Sequence, residues 1–555
     1  MDLPAVTGMA AELPPPPATP IPSTAEAESF GPPAREGVLA GAFFGRSGVG
    51  MAEALAAFLA EPSPRQALLR WLGRETLSRA LNGVPVPDLD DGLAPCRVAL
   101  ARLEEAIDRD IAAIDAAITA QLEAVQRDDR LRRLEGSWRG LWWVTGRIPP
   151  GGAARIRLRM LVLRWPELCR DFERAVEFDQ SQLFRKVYEE EFGTAGGEPY
   201  GLLCGDWMLR PVPGPGSPTD DVAGLDGLAA VAAAAFSPTV VGAHPALLGL
   251  DDFAELGAAV DPVEPLRGPE RRRWRNLQDR EDTRFLGVLL PRALARGAWP
   301  DDGTRPDRFR FRPDPGQAGA RAWMSPVYPF AAIVMRAFAS WGWPADIRGA
   351  PIGEAAFGGV VDRLPHERLP SDPPGAPPPR PPVEVALTDD QERLLVEAGL
   401  LPMIGLDAGL PEAVFAAAPS LHRPPRMGGP AEQSVAAAGN QRLSAQFNAM
   451  LCVSRFAHCV KIMGRQMVGS FQTADDIEGR LQEWLLQFAS ASGNATGEAG
   501  ARQPLRNARV EVVELPGKPG VFGCTIHLQP HYQLDEVGAA FRLVTELDAP
   551  GAKAA

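Results

Sequence analysis

Lysine and cysteine are both scarce in this chain of 555 residues. Only four residues are lysine, so arginine carries almost all of the positive charge. Arginine is better suited than lysine to buried and interfacial ion pairs, although genomic base composition would produce the same bias. The six cysteines include no Cys-x-x-Cys pair. This pattern indicates neither a disulfide framework nor a zinc knuckle, and it fits the reducing cytoplasm.

An excess of basic charge is also missing, since the net charge is -13 at pH 7. An acidic chain is poorly suited to sequence-independent binding of nucleic acid or of an anionic membrane surface, so neither partner is expected. The first residues, Met-Asp-Leu-Pro-Ala, lack the basic flank and apolar segment of a secretory signal. Residues 227–250 carry no charged side chain, but their alanines and prolines favour a buried helix ending near Ser237 over a membrane span.

Composition and periodicity divide the chain into regions that together predict a mixed α+β fold. Residues 1–35 are rich in Pro, Ala and Glu and are predicted to be a disordered tail. Residues 36–130 are predicted to be helical, because apolar residues between 103 and 125 recur at steps of three and four. Such a long one-sided helix needs a partner, within the chain or from another protein. Residues 131–440 alternate short apolar runs with helical patterns, which predicts an α/β core.

The last region, residues 441–555, has the pattern of a separate domain. Apolar residues alternate over 508–514 and 521–528 and flank the turn Leu-Pro-Gly-Lys-Pro-Gly, which predicts a β-hairpin. Apolar residues then recur at helical spacing over 534–547, so we expect an amphipathic helix near the C-terminus. Its apolar stripe consists of Leu534, Val537, Phe541 and Val544.

Residues 177–207 contain the densest group of candidate catalytic side chains. The acids that could serve as general acid or base, beside a glycine-rich turn, are Asp179, Glu189, Glu190 and Glu191. No histidine lies nearby in the sequence, and the spacing fits no familiar catalytic pair. No cofactor or metal is therefore predicted, and an enzyme that uses this acidic block stays an alternative.

Two further groups at helical spacing are predicted to be core. Trp138, Trp142 and Trp143 could form a base-stacking platform, but packing in the interior is the more ordinary role. Cys452 and Cys459 are seven residues apart and fall on one apolar face, where buried cysteine is expected.

Several blocks along the chain carry a recognisable pattern. Residues 134–141 are Leu-Glu-Gly-Ser-Trp-Arg-Gly-Leu, 281–285 are Glu-Asp-Thr-Arg-Phe, and 454–458 are Ser-Arg-Phe-Ala-His. Residues 528–534 are Leu-Gln-Pro-His-Tyr-Gln-Leu. Together with the block at 179–206, these segments resemble, in the same order, the large subunit of the type VI secretion contractile sheath (the TssC/VipB family).

The resemblance implies a cytoplasmic structural protein that makes and breaks no covalent bond. Such a subunit assembles with a smaller partner, TssB/VipA, and with further copies of itself into a helical, phage-tail-like tube joined to a baseplate. The tube surrounds an inner tube of Hcp and contracts to propel it, and an AAA+ ATPase, ClpV, dismantles the contracted form. The work would come from the free-energy difference between two packings of the same subunits. A scaffold or adaptor paralogue of the same secretion system is the main alternative.

Three groups of residues are candidate contacts in such an assembly. The hairpin would be completed at two open edges by strands from the small subunit and a neighbour. The residues expected in this strand pairing are Val510, Val512, Phe522, Cys524 and Ile526. The terminal helix would face the inner tube with three charges on one side, Asp535, Arg542 and Glu546. An N-terminal helix whose short apolar stripe would fit a groove of the ATPase contains Met51, Leu55, Phe58 and Leu59.

Overall fold

The computed structural model describes most of the chain in two compact units. The described residues are 33–41, 49–80, 97–150, 155–214, 217–299, 309, 311, 313, 319–349, 358–367, 380–406, 411–423, 445–467, 473–490, 502–514, 522–530 and 541–547. The first unit comprises those within Met1–Leu122 and Asp307–Phe311, and the second those within Glu123–Pro306 and Arg312–Ala555.

Helices make up the larger part of the regular structure. The α-helices are α1 (Pro33–Leu39), α2 (Val49–Leu59), α3 (Pro64–Ala80), α4 (Arg97–Arg127), α5 (Asp129–Thr145), α6 (Trp165–Arg174), α7 (Gln182–Phe184), α8 (Asp221–Ala234), α9 (Glu264–Arg267), α10 (Arg272–Gln278), α11 (Val327–Trp341), α12 (Asp389–Glu397), α13 (Phe447–Met467) and α14 (Ala474–Leu486). A π-helix, Arg185–Gly193, continues α7. Short 3-10 helices are Phe178–Gln180, Pro245–Leu248, Phe253–Ala258, Pro269–Arg271 and Glu281–Phe285.

The strands lie in small sheets of different kinds. They are β1 (Leu203–Leu209), β2 (Thr239–Ala243), β3 (Leu286–Leu290), β4 (Ala293–Arg296), β5 (Ala322–Met324), β6 (Val360–Val361), β7 (Leu400–Pro402), β8 (Ile404–Gly405), β9 (Ala413–Val414), β10 (Leu505–Glu514), β11 (Phe522–Pro530) and β12 (Phe541–Leu547). The order β1-β2-β3-β7 forms a parallel sheet, and β10-β11-β12 forms an antiparallel one. The pairs β4-β5 and β6-β9-β8 are antiparallel as well. The predicted mixed α+β fold is confirmed.

In the first unit, one buried carboxylate joins three helices. Asp110 on α4 accepts two hydrogen bonds of 2.8 Å from Arg35 of α1 and one of 3.0 Å from Trp71 of α3. Burial by itself would raise the pKa of Asp110, but these donors outweigh it and hold the pKa below its usual value. The long helix predicted from the apolar repeat is confirmed as α4. Asp110, one of the acids on this helix, has a structural role.

In the second unit, the core is built around the parallel sheet. Strands β2 and β3 are buried along their whole length, as expected when helices cover both faces of a parallel sheet. Helix α8 links β1 to β2 and buries Leu225, Leu228 and Val231 against one face. Its second half falls in the uncharged stretch 227–250, where a buried helix ending near Ser237 was predicted. Among the described residues, no helix is long and apolar enough to span a membrane.

The C-terminal sheet packs on α13 and α14 and forms a further core. The predicted hairpin is present as β10 and β11, with Val510 opposite Ile526 and Val512 opposite Cys524. The expected terminal helix is wrong over the part that is described, because Phe541–Leu547 is strand β12, paired with β11. A period-two pattern puts Phe541, Leu543 and Leu547 on one side and Arg542 and Glu546 on the other, and pairing satisfies the backbone groups of β11. Residues 534–540 lie outside the described residues.

A buried histidine joins this C-terminal core to the parallel sheet. His458 on α13 is 0% exposed, and its Nε2 donates to the Ala235 carbonyl oxygen over 3.0 Å, just beyond α8. Its Nδ1 has no hydrogen-bond partner among the described residues. Burial lowers the pKa of His458 from 6.5 to about 4, because the imidazolium would lose its water.

We therefore expect acid to destabilise the fold through His458. The unfolded chain takes up a proton below pH 6.5 that the folded chain refuses until about pH 4, so stability is lost as the pH falls through that window. The full shift corresponds to about 3 kcal/mol. In urea denaturation at pH 7 and pH 4.5, His458→Gln, which keeps an N–H donor without titrating, should lose less stability than the wild type. Equal losses would contradict this assignment.

Candidate assembly surfaces

The five residues proposed for strand pairing all lie in the described sheet, but their side chains point into the chain's own core. Val510, Val512, Phe522, Cys524 and Ile526 are each less than a tenth exposed. They pack against apolar side chains of α13 and α14, including Phe456 and Leu481. Burial also raises the pKa of the Cys524 thiol to about 12, so this cysteine stays protonated. These five side chains are therefore not available to another chain, which would have to use the backbone edge of the sheet or the exposed side chains of its other face, such as Val513.

The expectation of two open hairpin edges is wrong for β11. Strand β12 occupies the second edge of β11 from Phe522 to Leu528, so β11 is the central strand of the sheet. The edges that remain belong to β10 and β12. The sequence did not reveal this arrangement because the segment that supplies β12 also fits a helical period.

The outer edge of β10 is hydrogen-bonded to side chains of α14 instead of to a strand. Gln482 Nε2 donates to the Ala508 carbonyl oxygen at 2.8 Å, and the Val510 amide donates to Gln482 Oε1 at 2.9 Å. The Val512 amide donates to Glu478 Oε2, also at 2.9 Å. We call Gln482 and Glu478 the edge-capping pair. They satisfy the backbone groups that an added strand would otherwise meet, which is one way proteins protect edge strands.

The structure places only part of the proposed inner-tube contact. Arg542 and Glu546 lie on β12, opposite His527 and Gly523 of β11. Asp535 lies outside the described residues. The four-residue interval between Arg542 and Glu546 therefore spans a strand and not one turn of a helix, although residues at even spacing still share a face of a strand.

The candidate ATPase contact lies on α2, which is helical as predicted. Phe58 is half-buried, with its ring centroid 5.0 Å from that of Trp71 on α3, and Leu55 is half-buried too. Leu59 is 73% exposed. The side chain of Met51 lies outside the described residues. Of the four residues, Leu59 is thus the most accessible apolar contact in the described part of the helix.

The acidic block at 179–206 is held by structural contacts. Glu191 forms an ion pair with Arg159 and accepts the Glu198 backbone amide at 2.8 Å. At the other end of the block, Asp206 accepts the Tyr328 hydroxyl at 2.8 Å. Burial and this carboxylate raise the pKa of Tyr328 above its usual value. Of the four candidate acids, Glu191 thus has a structural role, and Asp179, Glu189 and Glu190 are exposed at the surface.

The prediction that three tryptophans pack in the core is confirmed for one and wrong for two. Trp143 is buried and donates through Nε1 to the Arg363 carbonyl oxygen at 3.2 Å. Trp138 and Trp142, on the other side of α5, are 57% and 79% exposed. The helical spacing gave no sign of this split, because it identifies neighbours along a helix and not which side faces the interior.

Comparison with known proteins agrees with the sequence blocks described above. A family model described as the EvpB/VC_A0108 tail sheath N-terminal domain matches residues 108–422. A second, described as the EvpB/VC_A0108 tail sheath gpW/gp25-like domain, matches residues 436–547. The chain is also similar to the type VI secretion system sheath protein TssC1 of Pseudomonas aeruginosa. The two are 32% identical over 456 residues, which cover 81% of this chain and 87% of that protein. The chain therefore belongs to the EvpB/VC_A0108 tail sheath family, as its sequence blocks predicted.

Proposed function

We propose that this chain is a structural subunit of a type VI secretion contractile sheath in the cytoplasm. It assembles with the small sheath subunit and with further copies of itself, around an inner tube and on a baseplate. Family membership supports this function, and the observation that carries the mechanism is the edge-capping pair on β10. These side chains protect the edge in the free chain, and a strand from a neighbour would take over the same three hydrogen bonds on assembly.

The exchange would be nearly balanced in free energy. An incoming strand replaces the bonds to Ala508, Val510 and Val512 with backbone bonds of the same kind, and each bond is worth only about 1 kcal/mol net. A junction of this kind holds neighbours together and still allows them to change their angle. Contraction then draws on the difference between two packings of the subunits, with no chemical step in this chain.

Removal of the edge-capping pair should promote assembly. Gln482→Leu with Glu478→Leu leaves buried amides of the free chain unsatisfied, which costs about 1–3 kcal/mol per group, whereas the assembled chain is unaffected. With the small sheath subunit present, we expect tubes in negative-stain microscopy at about tenfold lower protein concentration. Glu483→Leu, an exposed position of the same helix, is the matched control.

The converse variant tests the same edge. Val512→Pro removes the donor and should abolish tubes, whereas Val512→Ala keeps the amide and should form them. Tubes formed by Val512→Pro would contradict strand pairing at β10. Stoichiometric complexes without tubes in the wild type would favour the scaffold or adaptor paralogue.

The inner tube is proposed to contact the end of the chain through Asp535, Arg542 and Glu546. Charge contacts of this kind are reversible and weaken with salt, as a sliding interface requires. Asp535→Lys with Glu546→Lys should reduce co-sedimentation of the inner-tube protein Hcp several-fold at low salt. Asp390→Lys, on the exposed first turn of α12, serves as the control. Unchanged co-sedimentation would remove these residues from the interface.

The disassembly ATPase is proposed to grip α2. Leu59→Glu places a charge on the most accessible apolar residue of that helix and should weaken ATPase binding about tenfold in a pull-down from assembled sheath. Val176→Glu makes the same change at an exposed apolar residue elsewhere. Equal binding by both variants and the wild type would reject α2 as the attachment point.

A further inference from the structure

An apolar stripe runs along the outside of α5. Its members are Leu131, Leu134, Trp138 and Trp142, spaced by three and four residues, so they share one face of the helix. Each is at least a third exposed, and Trp142 is 79% exposed. Scattered exposed apolar residues are normal, but a continuous row that contains two tryptophans marks an interaction surface.

The opposite face of α5 fixes this orientation, because it packs through glycines. An added Cβ would lie 2.1 Å from the Trp323 carbonyl oxygen at Gly136 and 2.3 Å from the Tyr328 ring at Gly140. A larger residue at either glycine would push the helix away from β5 and α11. The tryptophans therefore cannot rotate inward to replace the glycines.

An ion pair also prevents the helix from turning about its axis. Arg296 of β4 is 9% exposed and binds both carboxylate oxygens of Glu135, at 2.6 and 3.0 Å. Arg296 donates further to the carbonyl oxygens of Gly297 and Ala320. A two-pronged bond of this kind fixes direction as well as distance. The apolar stripe is thus held rigidly outward by the chain's own packing.

The surroundings of the stripe are basic, although the chain is acidic. Residues 127–147 contain six arginines and three acids, within a chain whose net charge is -13. Four of these arginines have carboxylate partners, and the pairs are Arg127–Glu123, Arg132–Asp129, Arg139–Glu135 and Arg147–Asp362. Arg130 and Arg133 are exposed and have no carboxylate partner among the described residues. A two-fold contact between copies through this face would set arginine against arginine, which disfavours it.

We propose that this stripe on α5 binds an acidic amphipathic helix from a different polypeptide of the assembled sheath. The apolar row of that helix packs between Leu134, Trp138 and Trp142, and its carboxylates meet Arg130 and Arg133 at the rim. The proposal rests on the proposed function in one respect, since it takes the small sheath subunit as the polypeptide that supplies the helix.

The test measures binding of the purified small sheath subunit to the full-length chain. Trp138→Glu with Trp142→Glu should weaken binding at least 100-fold, because the two residues are the central apolar contacts. Val176→Glu with Val260→Glu introduces the same charges at isolated residues that are 87% and 93% exposed, and should change binding less than threefold. Thermal unfolding of both variants should match the wild type, because neither pair is buried.

Charge reversal and crosslinking give independent readouts. Arg130→Glu with Arg133→Glu should weaken binding about tenfold at low salt and reduce its salt dependence. A photo-crosslinking phenylalanine in place of Trp142 should attach to a helix of the small subunit, and this holds even if the double tryptophan variant fails to fold.

The outcomes separate this proposal from the sheath function. Binding by the double tryptophan variant within threefold of the wild type would overturn the docking surface and leave the sheath function standing. Crosslinks to a second copy of this chain would overturn it as well. A wild-type chain that does not bind the small subunit at all would contradict both.

Discussion

The hydrogen-bonding needs of one strand edge constrain how the C-terminal sheet can meet another strand. Backbone groups of β10 that face away from β11 must have partners, and within the free chain Gln482 and Glu478 provide them. The five side chains of the hairpin that were expected at an interface are instead committed to the chain's own core. The proposed strand exchange would therefore take place at the edge of β10, where an added strand would replace the bonds to Gln482 and Glu478.

Several contacts in the second unit hold its helices in fixed orientations. Glycines on α5 bring the helix against β5 and α11, and the Glu135–Arg296 pair sets its rotation. His458 similarly ties α13 to the end of α8 with a single bond to Ala235. A subunit that changes its packing against its neighbours must keep its own shape, and these contacts stiffen it. The scarcity of lysine is consistent with this design, since planar guanidinium groups make most of the fixed ion pairs.

Much of the fold was accessible from the sequence, and the errors have physical causes. Apolar residues at steps of three and four predicted α4, and apolar residues at every second position predicted β10 and β11. Both patterns persist over many residues. The C-terminal segment was wrongly predicted as a helix because Phe541 and Val544 also fit a helical stripe. The structure decides for a strand, because residues 541–547 pair with the edge of β11 that β10 leaves open. Two tryptophans of α5 were wrongly placed in the core because hydrophobicity and helical spacing do not show which side of a helix faces the interior. The family was recognisable because its motifs occur in the same order along the chain. The edge-capping pair was not predicted, because a Glu and a Gln four residues apart on a helix do not reveal which strand they contact.

The edge-capping pair has a dimensional consequence. Glu478 and Gln482 are one helical step of four residues apart, a rise of about 6 Å, and they meet the amides of Val512 and Val510, which are about 6.7 Å apart along a strand. The spacing of the two side chains along the helix therefore nearly equals the spacing of the two amides along the strand. The difference between the two spacings would grow with each further pair. Side chains of a helix can therefore match the amides of a strand edge over only a few residues. A strand keeps its register along the whole edge, so in the proposed exchange a longer contact would favour the added strand over the two side chains.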